Sequence, residues 1–331
     1  MTKLNVWVVC GGPSGEAEVS RTSGRAVVSA LQRAGHAASL VEFEPSMTRS
    51  LLGTPPDVVF PVTHGTLGED GCLQGLLEVF DVPYVGSGVL ASALGSNKPQ
   101  AKAAWQLAGL PVAKELVVRH GEELSRAALA ARAKLGFAIV VKPASGGSAI
   151  GVQRVSAQQS DAQLVEAIRA ALALDNEALL EAWLVGLEVT CGVLDLAGQL
   201  RALPPTLILP ERADFYDFVS KYAPGGSRHV CPAPLAPGLV ERLQQLAVRA
   251  HQVVGARDLS RVDFLVDDRR GVDFAPKILE INTLPGMTST SLYPEAAGIA
   301  GIPFEALVDG LVRQAMARPR RMFPEALAMP T

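Results

Sequence analysis

The chain has 331 residues, and its 30 basic and 33 acidic side chains leave a net charge of −3. A composition 48% apolar and 19% charged supplies a large core and excludes a disordered chain. The near-neutral balance argues against a nucleic-acid binder, which carries a basic excess.

Roughly 150 residues per domain gives two domains, or three small ones. Val6 to Cys10 is an apolar run entering Gly11-Gly12, as a buried parallel strand does. Residues 23–34 carry Ala26, Val27, Ala30, Leu31 and Ala34 on one helical face and stop at Gly35. Asp57 to Val62 reads as a second strand, Leu73 to Phe80 as a helix and Pro83 to Val85 as a short strand. That alternation is the pattern of a doubly wound α/β domain. After Asn97 the texture changes. Lys98 to Ala108 is a helix, and Phe137 to Lys142 is a strand that runs into the loop Ala144-Ser145-Gly146-Gly147-Ser148. A helix over 161–174 and strands over 178–181 and 188–194 follow. The polar stretch 211–234, with Tyr216, Lys221 and Tyr222, is a long loop of the kind that carries function. A helix from Leu239 to Val254 and strands near 260–266 and 277–282 complete the pattern. The tail from Arg318 is expected to fray. No internal repeat is visible.

The longest uncharged run, Val82 to Asn97, is broken by Pro83, three glycines and three serines, so no bilayer span is expected. Cys10, Cys72, Cys191 and Cys231 have no C-x-x-C spacing, which leaves neither a zinc site nor a redox motif in view. Without a signal-peptide pattern, a soluble cytoplasmic protein with free thiols is the expectation.

Residues i and i+2 of a strand share a face. Arg261 and Asp263 therefore point one way; Glu280 and Asn282 share a face, with Leu279 and Ile281 opposite. If the last two strands are neighbours, Asp263, Glu280 and Asn282 converge as hard oxygen ligands suited to Mg²⁺ and phosphate. A solvated sheet face explains the same pattern. Lys142 and its glycine loop offer a cation and backbone N–H groups to phosphates, although no Walker Gly-Lys-Ser/Thr occurs; a flexible hairpin is the alternative. Gly86-Ser87-Gly88 is not a dinucleotide fingerprint, because no acidic ribose partner follows at 106–112. His64 opens a glycine-rich loop at a strand's carboxyl end, where α/β sheets bind ligands, but a lone histidine there is also a common structural residue.

Several segments then come in one order. They are Gly11-Gly12-Pro13-Ser14-Gly15-Glu16, the His64-to-Gly71 loop, Pro83 to Gly88, and Val141-Lys142-Pro143 with its glycine loop. Phe215-Tyr216-Asp217 with Lys221-Tyr222, Arg261-Val262-Asp263-Phe264, and Leu279 to Thr288 with Ser291-Leu292 complete the series. Together they resemble the D-alanine–D-alanine ligase family of the ATP-grasp superfamily, from about residue 4 to about 315.

The resemblance implies an N-terminal doubly wound α/β domain followed by a two-domain, α+β ATP-grasp fold. Its units would be 1–97, 98–187 and 188–317, with a lid loop over 211–228 and a tail over 318–331. ATP would lie between the last two units. Lys98 and Lys142 would hold phosphates; Glu181, Ala182, Trp183 and Leu184 would meet the adenine, Glu188 the ribose, and Lys221 the γ-phosphate. Asp263, Glu280 and Asn282 would hold Mg²⁺ or Mn²⁺, as two ions. Glu16, Ser148 and Tyr222 would form the trio that closes the lid. Arg261 and the Gly286 N–H would be oxyanion donors, His64 a substrate contact, and Ser291 with Leu292 the grip on the second substrate's carboxylate. The implied reaction activates one D-alanine as an acyl phosphate and couples it to another, giving the peptidoglycan dipeptide. A cytoplasmic homodimer without nucleic-acid or membrane partners is implied as well. Three positions depart from the family pattern: Asn97 where Asp is common, Ala149 where Ser is usual, and Ala182 where Lys is common. The Ala149 change loses a hydroxyl near phosphate and the Ala182 change a side-chain contact to the base, so weaker ATP binding with intact chemistry is expected. A ligase of other amino acids is the first rival. A silent ATP-binding homologue is the second, and it would be marked by a broken ligand trio.

Overall fold

The apolar run at the start forms strand β1, Asn5–Cys10, at the centre of a parallel sheet with β2, Ala37–Glu42, and β3, Val58–Pro61. The computed structural model describes residues 2–210, 226–267 and 276–319. Helix α1, Ala17–Arg33, packs on this sheet through Val27, Ala30 and Leu31. A Cβ at Gly24 would lie 2.5 Å from the Leu40 side chain, so glycine sets how closely α1 approaches β2. The helix starts at Ala17 rather than at residue 23, because its first inward positions are Ser20 and Ser23 and not apolar residues. Strand β2 and helix α2, Ser46–Gly53, were not evident from the sequence; β2 is an edge strand with little continuous apolar character. Helices α3, Cys72–Val79, and α4, Val89–Ser96, follow. Between them Tyr84 adds only a single parallel bridge, to Val59.

Helix α5, Lys98–Leu107, leads into an antiparallel sheet of order β4-β7-β5-β6. Its strands are β4, Glu115–Arg119, β5, Ile139–Pro143, β6, Gln153–Val155, and β7, Glu177–Ala182. Helices α6, Leu124–Leu135, and α7, Asp161–Leu172, bury Ala128, Ala131, Leu164 and Ile168 against Val118, Ile139 and Leu180.

The third sheet runs β11-β10-β8-β12-β13, with β9 paired to β8. These strands are β8, Leu187–Leu196, β9, Gln199–Ala202, β10, Thr206–Pro210, β11, Ser227–Val230, β12, Leu259–Val266, and β13, Lys277–Asn282. Helix α8, Pro237–Val253, covers it, and α5 joins the same core through Ala101 and Trp105. The Trp105 indole N–H donates to the Ala250 carbonyl at 3.1 Å.

Strands β12 and β13 are antiparallel neighbours, with Asp263 opposite Glu280 and Arg261 opposite Asn282. The register slips after Asp263, so that Phe264 pairs with Ile278 and Leu279 is the extra residue of a bulge. The expectation that Leu279 shares the core face with Ile281 is therefore corrected. Ile278 and Ile281 enter the core, while Leu279 and Glu280 both line a cleft.

Helix α9, Leu292–Ile299, precedes α10, Phe304–Ala317. Although last in the described chain, α10 packs Leu307, Val308, Leu311 and Val312 into the core of the first sheet. Buried Asp258 ties the same regions together: it accepts from the Gly86 N–H at 2.7 Å and from Arg318 at 2.6 Å. Among the described residues no helix is long and apolar enough to cross a membrane.

Candidate active site

Strands β1 and β3 are parallel, so their carboxyl ends open on one side and release two loops there. Ser20 of α1 pins both: it accepts from the Gly11 N–H at 2.9 Å and donates to the Val62 carbonyl at 2.7 Å. The first loop ends at Glu16, whose buried carboxylate accepts a hydrogen bond from Ser148 Oγ. The second begins at buried His64, with Nδ1 3.8 Å from Glu69 Oε2. Burial disfavours the imidazolium, but the hydrogen bond and charge of Glu69, with Glu16 behind them, prevail and raise the His64 pKa.

Arg261, Asn282, Gly286, Ser291 and Leu292 form the facing wall of this cleft. At Gly286 a Cβ would sit 3.0 Å from Ser291 Oγ, so a side chain there would crowd that hydroxyl. Ser291 Oγ accepts from the Thr288 N–H at 3.0 Å, and Ser23 of α1 accepts from the Met287 N–H at 3.2 Å. Leu292 is the first residue of α9, so the positive end of that helix opens here.

The second cleft lies between the two antiparallel sheets. Lys142 projects from β5 and Glu181 from β7, with Nζ and Oε2 2.5 Å apart. Behind them Lys102 of α5, fully buried, meets Glu181 Oε1 and stands 2.7 Å from Glu115 Oε2 of β4. Burial favours the neutral acid at Glu181, yet the ammoniums of Lys142 and Lys102 outweigh it and hold the pKa down at about 2. Lys142 is shifted up: burial opposes its charge, and the carboxylates of Glu181 and Glu280 overcome that opposition. Ala182, Trp183, Leu184 and Glu188 line the far rim. Arg154 lies over the Trp183 ring, 4.9 Å from its centroid, so a cation stands on this wall although Ala182 supplies none. Asn97 caps α5 by accepting from the Gln100 N–H at 3.0 Å, a role either Asn or Asp performs. Ala149, like Ser148, has a positive φ.

Glu280 and Gly147 line both clefts. Lys98 Nζ donates to the Gly146 carbonyl at 2.6 Å and lies 3.7 Å from Glu280. Asp263 Oδ1 accepts from Thr190 Oγ1 at 2.6 Å and from Arg261 Nε at 2.9 Å. Among the described residues no three His, Cys, Asp or Glu cluster as a metal site. Asp263 and Glu280 nevertheless face each other across the strand pair, and Asn282 lies two residues along on the same face of the sheet. The Asn282 amide oxygen accepts from the Leu284 N–H at 3.0 Å and keeps a second lone pair. This all-oxygen set fits a hard divalent cation.

The sequence reading missed Lys102, Ser20 and Ser23. The signal for Lys102 was its spacing: one helical turn after Lys98, beside Ala101 and Trp105, it falls on an inward face. The two serines sit at core positions of an amphipathic helix, which is the mark of hydroxyls used by the backbone. Lys221 and Tyr222, with most of the expected lid over 211–228, lie outside the described residues.

A carboxylate-bridged pair of clefts, one of them between two antiparallel sheets, agrees with what comparison finds. The family models described as D-ala D-ala ligase C-terminus and N-terminus match residues 104–313 and 44–87, and the sheets have the ATP-grasp arrangement. Over 313 residues the chain is 42% identical to the D-alanine–D-alanine ligase of Gloeobacter violaceus, covering 95% of this chain and 100% of that one. It is 40% identical over 315 residues to that of Halalkalibacterium halodurans, with the same coverage. The crystal structure of the Bacillus anthracis D-alanine–D-alanine ligase complexed with ATP superposes with a TM-score of 0.79 at 28% identity, over 95% of this chain and 97% of that one. The chain belongs to the D-alanine–D-alanine ligase family.

Proposed function

We propose that the protein is an ATP-dependent, ADP-forming ligase that joins two D-alanines into the dipeptide of peptidoglycan precursors. The observation that carries this reading is the junction of the two clefts at Glu280 and Gly147. A γ-phosphate held by Lys98 and Lys142 on one side would meet a carboxylate bound on the other.

The first D-alanine's carboxylate oxygen attacks the γ-phosphorus. An O–P bond forms, the bond to ADP breaks, and an acyl phosphate results. The second D-alanine, as a free amine, attacks the acyl carbon, and phosphate leaves the tetrahedral intermediate. Glu16 faces the first ammonium, and His64, whose pKa the Glu69 carboxylate raises, faces a substrate carboxylate. Arg261 and the Gly286 N–H donate to the oxyanion, each worth about 3 kcal/mol of barrier. Ser291 and Leu292, at the start of α9, hold the second carboxylate. Glu181 through Leu184 and Glu188 bound the adenosine. The link between Ser148 and Glu16, to which Tyr222 would add, helps exclude water from the acyl phosphate. Asp263, Glu280 and Asn282 fit Mg²⁺ or Mn²⁺, as two ions, and bound there a divalent ion offsets phosphoryl charge. A cytoplasmic homodimer of units 1–97, 98–187 and 188–317 accompanies the reading; sedimentation tests the dimer.

The test is phosphate release from ATP across a panel of D- and L-amino acids, with products separated, before and after chelation and on return of Mg²⁺. D-Alanine should give D-alanyl-D-alanine, lost on chelation and restored by the ion. Preference for another amino-acid pair would replace the reading with that of a related ligase.

A further inference from the structure

Among the described residues, Lys102 belongs to neither cleft lining, yet it is a lysine with no solvent exposure, and lysine is almost never buried this fully without a purpose-built partner set. Its partners come from two adjacent strands. Glu115 of β4 and Glu181 of β7 are opposite in register, so two carboxylates stand side by side on one face of the sheet. Like charges so placed repel one another, and burial strengthens the repulsion. Glu115 Oε2 accepts no hydrogen bond, and the Lys102 ammonium 2.7 Å away is what offsets its charge. Glu181 divides its two oxygens, Oε1 toward Lys102 and Oε2 toward Lys142. Two ammoniums thus balance two carboxylates, but only Lys142 reaches the cleft.

We infer that Lys102 is a positioning residue for nucleotide binding: it neutralises the Glu115–Glu181 pair from behind and leaves the Lys142 ammonium available to phosphate. Without Lys102, Lys142 would be the nearest cation for both acids and would be drawn back against the strand pair. The groups around Glu181 agree with this division of labour: Lys142 on β5 and Lys102 on α5 hold its charge, Glu115 stands opposite it on β4, and the carboxylates of Glu280 and Glu115 also act on Lys142. The inference rests on the proposal that the Lys142 cleft takes ATP.

The experiment measures affinity for a fluorescent ATP analogue, and KM for ATP and for D-alanine, on the full chain. Lys102→Met should weaken nucleotide binding by at least about tenfold, by analogy with the loss of a partner that orients a metal-ligating side chain, and leave the KM for D-alanine unchanged. Removing one carboxylate as well, in Lys102→Met with Glu115→Gln, restores the charge balance and should recover most of that affinity. A general structural defect would move the KM for D-alanine along with nucleotide affinity, so an unchanged D-alanine value is what marks the role as positional. Equal nucleotide affinity in Lys102→Met, or no recovery in the double variant, would overturn the role. If Lys102→Met does not fold, Glu115→Gln alone decides. Lys102 is then given wholly to Glu181, nucleotide affinity should hold or rise, and a fall would overturn the inference. Dipeptide synthesis is assayed separately. Its absence from the unmodified protein would remove the ligase reading while the affinity comparison still decides the role of Lys102.

Discussion

The two clefts share Glu280 and Gly147 but are built by different means. The Lys142 cleft is made of strands: its charged groups sit at fixed registers on β4, β5, β7 and β13, and buried acids are matched by buried lysines. The Arg261 cleft is mostly made of loops, and small hydroxyls on one helix hold those loops in place: Ser20 ties Gly11 to Val62, and Ser23 holds Met287. A large polyanion needs compensating charge that is in place before it arrives. Two small zwitterions need donors and acceptors at exact spacing, and hydrogen bonds to backbone supply that.

The largest effect should come from the residue the clefts share. Glu280→Gln should lower turnover at least about a thousandfold, since uncompensated phosphoryl charge is among the costliest losses in such chemistry, with an unchanged thermal melt. Near-normal phosphate release would separate the two clefts functionally. Next, Arg261→Gln should lower kcat by roughly a hundredfold to a thousandfold, as loss of an oxyanion donor does, while ATP affinity by fluorescence stays close to that of the parent. A parallel loss of ATP affinity would show that Arg261 serves the strand-built cleft as well.

A third measurement compares the clefts by pH. The folded Glu181 pKa is depressed from 4.5 to about 2, so its charge stabilises the fold above pH 4.5 and that contribution is lost as pH falls toward 2. The gap in urea midpoint between the parent and Glu181→Gln should therefore narrow from pH 5 to pH 3. A constant gap would mean that the ion cluster adds no pH-linked stability. The smallest effect belongs to the hydroxyl scaffold. Ser23→Ala removes one hydrogen bond worth about 1 kcal/mol, and it should raise the KM for D-alanine about fivefold without moving the KM for ATP. A shift in the ATP value instead would erase the distinction between the two constructions.

The same difference explains what could be read from the sequence. Strands β1, β5, β12 and β13 were legible because apolar runs and alternation mark them, and with them came the facing of Asp263, Glu280 and Asn282. The bulge at Leu279 was not, because an extra residue is visible only once two strands are in register. Lys102 was hidden by its type: a lysine reads as surface until tertiary packing supplies its acids. Ser20 and Ser23 hid the first turns of α1 for the complementary reason, being polar residues used as interior ones. Asn97 departs from the family pattern, and its side chain caps α5 as an aspartate would.

Helix α10 carries a consequence for how the protein is made. Its Leu307, Leu311 and Val312 belong to the core of the sheet built from the first sixty-odd residues. On a ribosome the N-terminal strands emerge long before this helix, and their apolar face must wait for nearly the whole chain. The sheet synthesised first is thus among the last to be sealed. A stalled or truncated chain ending before Phe304 would expose that face to chaperones and proteases, which makes completion of synthesis a condition for the persistence of the first sheet.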